Sequence, residues 1–138
     1  MSPFVMDCSV TAGWVIGSQS SDYTMAVLER LRDSKALVPG IWLYEVANML
    51  LSAEMRKSIT REESSAFYKM LKGLSFEIIH KNDEEWSELL LWMSKTHRLT
   101  AYDTAYLYLA MDRGYPLATC DRKLESAAKM AGVEIFQP

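Results

Sequence analysis

Phe4-Val5-Met6-Asp7-Cys8-Ser9-Val10 is the stretch on which the fold turns. Its first three residues are apolar without alternation, the pattern of a strand covered on both faces. The run breaks at an aspartate, and such a strand belongs in the middle of a sheet rather than at its rim. Further short β-like runs fall at residues 36–38, 76–79, 117–119 and 133–136, with helical patterns between them. This alternation predicts an α/β domain with a parallel sheet. Phe76-Glu77-Ile78 and Val133-Glu134-Ile135 alternate apolar with acidic, so the third and fifth strands are expected at the edges.

The helices follow from apolar spacing. Leu43, Val46, Ala47, Leu50 and Leu51 recur at the intervals of one helix face. Residues 100–113 are apolar on nearly every side, which predicts a helix buried against the sheet and stopped by Gly114. A helix over 83–95 would start with acids at the positive end of its dipole, and another is expected over 122–131, closed by Gly132.

The chain has 138 residues, enough for a single domain over 1–138 with a substantial core. No basic region precedes the apolar run at residues 3–6, and no stretch nears the ~20 apolar residues of a membrane span. A cytoplasmic protein with no membrane association is therefore expected. Cys8 and Cys120 are too few for a disulfide framework and are expected to be free, small buried residues. The net charge of −3 is unlike that of most nucleic-acid binders. Four acids belong to a candidate site, however. Without them, 15 basic residues face 14 acidic ones, so charge neither supports nor excludes RNA.

Those four are Asp7, Glu45, Asp103 and Asp121. Each has an ordinary structural reading. Asp7 suits a turn at a strand end, and Glu45 complements the dipole in the first turn of its helix. Asp103 completes a capping box with Thr100, and Asp121 is placed to cap the last helix. Their shared location is harder to explain that way. Two follow strands at their carboxyl ends and two lie in first helical turns, which in an open parallel sheet are one edge. Several carboxylates in one crevice repel unless a cation sits among them, and an all-oxygen site suits Mg²⁺ or Mn²⁺. Asn48 and Ser52 extend a polar stripe from Glu45.

The same residues carry a family resemblance. Phe4 to Val10, Pro39 to Asn48 with Tyr-Glu-Val-Ala-Asn, Leu99 to Leu107 with Thr-Ala-Tyr-Asp-Thr, and Pro116 to Asp121 together resemble the PIN-domain nucleases, in particular the VapC-like toxins of toxin–antitoxin pairs. The resemblance spans essentially the whole chain in order. It implies a three-layer α/β sandwich with a central parallel sheet of about five strands, ordered 3-2-1-4-5. It implies Asp7, Glu45, Asp103 and Asp121 as catalytic, metal-binding acids, with Ser9 and Thr119 in support; Asn48, on the polar stripe from Glu45, is a further supporting candidate. The implied activity is Mg²⁺- or Mn²⁺-dependent hydrolysis of RNA, leaving a 5′-phosphate and a 3′-hydroxyl. The implied partners are an antitoxin protein and a second copy of the chain.

Arg98, Arg122 and Lys123 adjoin the motifs and are candidate phosphate contacts. Trp86, Trp92, Met49, Met55 and Met70 are candidates for an apolar groove that takes an amphipathic helix. Three other readings compete. A haloacid dehalogenase-type phosphohydrolase would need a second acid two residues after Asp7, where this chain has Ser9. An inactive PIN-like interaction module would have no need of all four acids. A housekeeping RNA-processing nuclease without an antitoxin differs only in biological role.

Overall fold

A computed structural model describes residues 2–81 and 83–138. Strand β1 (Phe4–Met6) lies inside a parallel sheet, between β2 (Ala36–Pro39) and β4 (Leu117–Ala118); β3 (Phe76–Ile79) adds to β2, giving the order β3-β2-β1-β4. Phe4, Val5 and Met6 are all fully buried, as their unbroken apolar run requires. Every residue of β3 is half-buried, consistent with an edge.

Four strands are found among the described residues, where about five were expected. The final segment meets β4 through one parallel bridge, Leu117 to Ile135. Backbone bonds run from Leu117 N–H to Glu134 O and from Phe136 N–H to Leu117 O. Its position beyond β4 is that expected of the fifth strand. What holds it is as much packing as pairing, since the Phe136 ring stacks on Phe4 with centroids 4.0 Å apart.

Helices cover the sheet in a three-layer sandwich: α1 (Cys8–Ala12), α2 (Asp22–Arg30), α3 (Ile41–Met55), α4 (Arg61–Lys72), α5 (Glu84–His97), α6 (Ala101–Arg113) and α7 (Arg122–Met130). Helix α6 buries Thr104, Ala105, Tyr106, Leu107, Leu109 and Ala110 against β1, β2 and β4. It ends at Gly114 in the left-handed region (φ 68°), where only glycine is free of strain. Asp83 caps α5 by accepting from the Trp86 amide.

The buried face of α3 differs from the expected one. Trp42, Val46, Leu50 and Ala53 turn inward, while Leu43, Ala47 and Leu51 are exposed. This helix is apolar on most sides, so spacing alone does not select a face. Trp42 decides it: its Nε1 donates to buried Thr11 at 3.0 Å and its ring packs on Phe76. Among the described residues no helix is long and apolar enough to cross a membrane.

Gly13 joins α1 to the loop before α2. A Cβ there would stand 2.5 Å from Thr24 Cγ2. Thr24 is fully buried, and its Oγ1 receives the Ser21 amide in the capping box of α2. It therefore cannot swing aside freely. Gly13→Ala is expected to lower stability by about 1–3 kcal/mol, the usual cost of overpacking, read as a lower urea midpoint with an unchanged slope.

Candidate active site

The carboxyl ends of β1 and β4 and the starts of α3 and α6 bring the four acids to one edge. Asp7, directly after β1, is only 4 % exposed. Its Oδ1 accepts from Ser9 Oγ at 2.5 Å and its Oδ2 from Thr119 Oγ1 at 2.8 Å. Ser9 Oγ in turn accepts the Cys120 amide at 2.9 Å, and Thr119 Oγ1 accepts the Asp121 amide at 3.0 Å. Two hydroxyls thus lace the loop after β1 to the loop after β4. Asp121 caps α7 through Oδ1, which accepts the amides of Lys123 and Leu124, and this leaves Oδ2 outside the cap.

Glu45 lies in the second turn of α3, past the first turn expected for it because the helix begins at Ile41; it is half-buried and accepts a 2.5 Å hydrogen bond at Oε1 from the Tyr106 hydroxyl. Tyr106 is 1 % exposed in the middle of α6. Sequence reading missed its role, although a tyrosine inside a buried helix needs a partner for its hydroxyl. It sits three residues after Asp103, and that spacing was the available signal. Asp103 is half-buried, and its amide donates to Thr100 Oγ1 at 3.1 Å, so the Thr100 half of the expected capping box forms.

The acids feel one another. Burial is the chief cause that pushes Asp7 up to about 7; the Ser9 and Thr119 hydroxyls oppose it, and the charges of Asp103 and Asp121 add to it. Burial also raises Glu45, against the Tyr106 bond and with a contribution from Asp103. Asp103 is raised by burial and then by Asp121, while the Thr100 hydroxyl and Lys123 pull it down. Three neighbouring carboxylates, Asp7, Glu45 and Asp103, that resist ionisation favour a bound cation. Among the described residues, no three acidic, histidine or cysteine side chains stand close enough to ligate one ion. The arrangement is a shared open edge rather than a closed cage. Mg²⁺ is typically held by about one or two carboxylates with water completing its shell, so these oxygen donors fit that ion.

Ser9 and Thr119 therefore join the expected acids, whereas Asn48 is exposed and takes no part in these bonds among the described residues. Lys123 is exposed yet near enough to lower Asp103, and Arg98 and Arg122 are exposed at helix ends. The free thiol of Cys8 is pushed up to about 12, mainly by burial, which makes it unreactive. Cys120 is exposed rather than buried as expected. The five residues expected to form one apolar groove are dispersed. Met49 and Met70 pack against the core, Trp86 lines a groove between α5 and α6, and Met55 and Trp92 are exposed.

Comparison with known proteins agrees with the fold. A family model described as PIN domain matches residues 5–130. Among solved structures, the chain is similar to PAE2754 from Pyrobaculum aerophilum, at 22 % identity over 93 % of this chain and 86 % of that one, with a TM-score of 0.67. It is similar to VapBC2 from Rickettsia felis, solved with a DNA fragment from their promoter, at 13 % identity over 99 % and 98 % (TM-score 0.64). It is also similar to FitAcB from Neisseria gonorrhoeae, at 18 % identity over 100 % and 98 % (TM-score 0.59). No curated protein matches in sequence.

Proposed function

The chain belongs to the PIN-domain family, and from that premise we propose that it is a metal-dependent ribonuclease acting as the toxin of a toxin–antitoxin pair. The observation that carries the reading is the Ser9–Asp7–Thr119–Asp121 network, with Asp103 and Glu45 on the same edge. Holding a carboxylate as buried as Asp7 is costly. That cost makes little sense in an inert interaction module and is understandable where a cation offsets it.

About one or two of Asp7, Glu45, Asp103 and Asp121 would hold Mg²⁺ or Mn²⁺, with water completing its shell. When bound, the ion supplies an activated water and neutralises charge on the scissile phosphate. The protein supplies the fixed frame. Ser9 and Thr119 orient both oxygens of Asp7, and the α7 amides fix Oδ1 of Asp121. Tyr106 holds Oε1 of Glu45, which leaves the other oxygen to accept a proton from the attacking water. The exposed Lys123, close to Asp103, is placed to meet a phosphate.

The fold shared with VapBC2 and FitAcB supports a cognate antitoxin as partner. The family resemblance supports a homodimer in the cytoplasm. Purified protein incubated with total RNA is expected to cut it with Mg²⁺ or Mn²⁺, to stop in EDTA and to resume when Mn²⁺ is restored. Cleavage indifferent to EDTA, or no cleavage and no divalent ion bound, defeats the proposal.

Thr119→Val tests the frame. It preserves shape but removes the donor to Asp7 and the acceptor of the Asp121 amide. Supporting hydrogen bonds in metal sites are worth about 10–100-fold in affinity or rate. A drop of that size in RNA cleavage is expected, and Thr119→Ser should recover most of it.

A further inference from the structure

We propose that the groove beside the acid edge seats an unpaired RNA strand whose bases stack on Tyr44 and Tyr102, a reading that rests on the ribonuclease assignment. The groove has a volume of about 590 Å³ and is bounded by the start of α3, the chain after β3 and the facing sides of α5 and α6. Its volume lies within the ~300–1,000 Å³ of small-molecule sites, room enough for a nucleoside.

Tyr44 and Tyr102 line this groove while 73 % and 59 % exposed. Each immediately precedes an acid of the site, Glu45 and Asp103. Both rings line this one groove, each one residue from an acid of the site. Every base offers a π-face, and exposed aromatic rings take such faces without regard to sequence.

Charge completes the case. Lys81 and Arg113 line the groove; Arg113 pairs at 3.8 Å with Asp112, the one acid of the lining, so Lys81 carries the groove's net positive charge. The Lys81 ammonium lies 5.4 Å from the Trp86 ring and 5.2 Å from Tyr108, which fixes a cation on the groove wall. Rings beside the acids and cations beyond them complement a flexible polyanion with free bases. A duplex keeps its bases stacked on each other and presents none to the tyrosines. A partner helix would use the apolar part of the lining, Ile41, Ile79, Leu90 and Leu109, and would leave Lys81 without a counter-charge.

The test is fluorescence anisotropy with a short labelled oligouridylate in EDTA, where the strand stays intact. Tyr44→Ala and Tyr102→Ala are each expected to weaken binding about tenfold, the size of one lost base stack. Tyr44→Phe and Tyr102→Phe should bind like the parent. Lys81→Gln with Arg113→Gln should weaken binding and flatten its salt dependence. A blunt RNA duplex should bind weakly and ignore the tyrosine changes.

Alanine variants that bind the strand as tightly as the parent overturn the proposal, as does a parent that does not bind it. Sedimentation at the same concentration supplies a third outcome. If the alanine variants halve the particle mass, the groove lies between two copies of the chain and the proposal falls. Cleavage of total RNA with Mg²⁺ separates the two readings. A parent that cuts while the alanine variants bind normally loses only the groove; a parent that binds the strand but never cuts loses the ribonuclease assignment.

Discussion

Asp7→Asn is expected to abolish RNA cleavage and, at the same time, to make the metal-free protein more stable at pH 8. The two effects share one cause. Asp7 is 4 % exposed, and burial pushes it up to about 7 from an ordinary 3.8. A carboxylate raised in this way contributes full stability below its unfolded value near pH 4. That contribution is lost as pH rises to about 7, because the folded protein must then bury the charge. Three units at 1.36 kcal/mol each amount to about 4 kcal/mol. Asparagine carries no charge to bury, and the Ser9 and Thr119 hydroxyls can still pair with an amide.

Metal-free Asp7→Asn should therefore exceed the parent by up to about 4 kcal/mol at pH 8, with the difference nearly gone at pH 4. Mg²⁺ should narrow the gap by stabilising the ionised parent. Activity moves the other way, by more than the ~10–100-fold that a supporting bond is worth. Denaturant titrations at the two pH values, with and without Mg²⁺, are the measurement. A stability difference that does not change with pH would mean that Asp7 bears no buried charge.

Phe4→Ala should produce the largest loss of stability among single core changes, about 3–5 kcal/mol. Phe4 is fully buried in β1, paired with Ala36 across the sheet and stacked on Phe136. Truncation leaves a cavity at the middle of the sheet and removes the ring against which the final segment packs. The urea midpoint should fall sharply, and the amide of Phe136, bonded to Leu117 O, should lose hydrogen-exchange protection ahead of β1. Equal protection at the two places would show that the final segment is held by pairing alone.

Much of this architecture is legible in the residues. The unbroken Phe4-Val5-Met6 run places β1 inside the sheet, and the acid at Glu77 marks an edge. Asp7, Asp103 and Asp121 are legible for the same reason, because each follows a recognisable strand or opens a recognisable helix, whereas Glu45 falls one turn inside α3. Apolar spacing is weaker where a helix is greasy all round. It points Leu43, Ala47 and Leu51 of α3 inward, and only the contacts of Trp42 with Thr11 and Phe76 show otherwise.

Helices α1, α2 and α4 escape a reading built on apolar spacing. Thr60 and Glu63 nonetheless form a full capping box on α4, with a sparse stripe of Phe67 and Leu71 behind it. Its spacing from Asp103 marks Tyr106 as a neighbour of the site, but its pairing with Glu45 is not in the sequence. The two residues lie 61 apart, and only the packing of α6 beside α3 joins them.

The bond from Thr119 to Asp7 spans 112 residues. A growing chain that has emerged as far as Asp7 gains Thr119 only 112 residues later. Until β4 pairs with β1, Asp7 lacks one of its two hydroxyl donors and the edge lacks an acid. Contacts this distant in sequence form late, because the long loop must close before they contribute. An unfinished chain that stops short of β4 therefore lacks the completed acid edge, which closes only when the two distant loops meet.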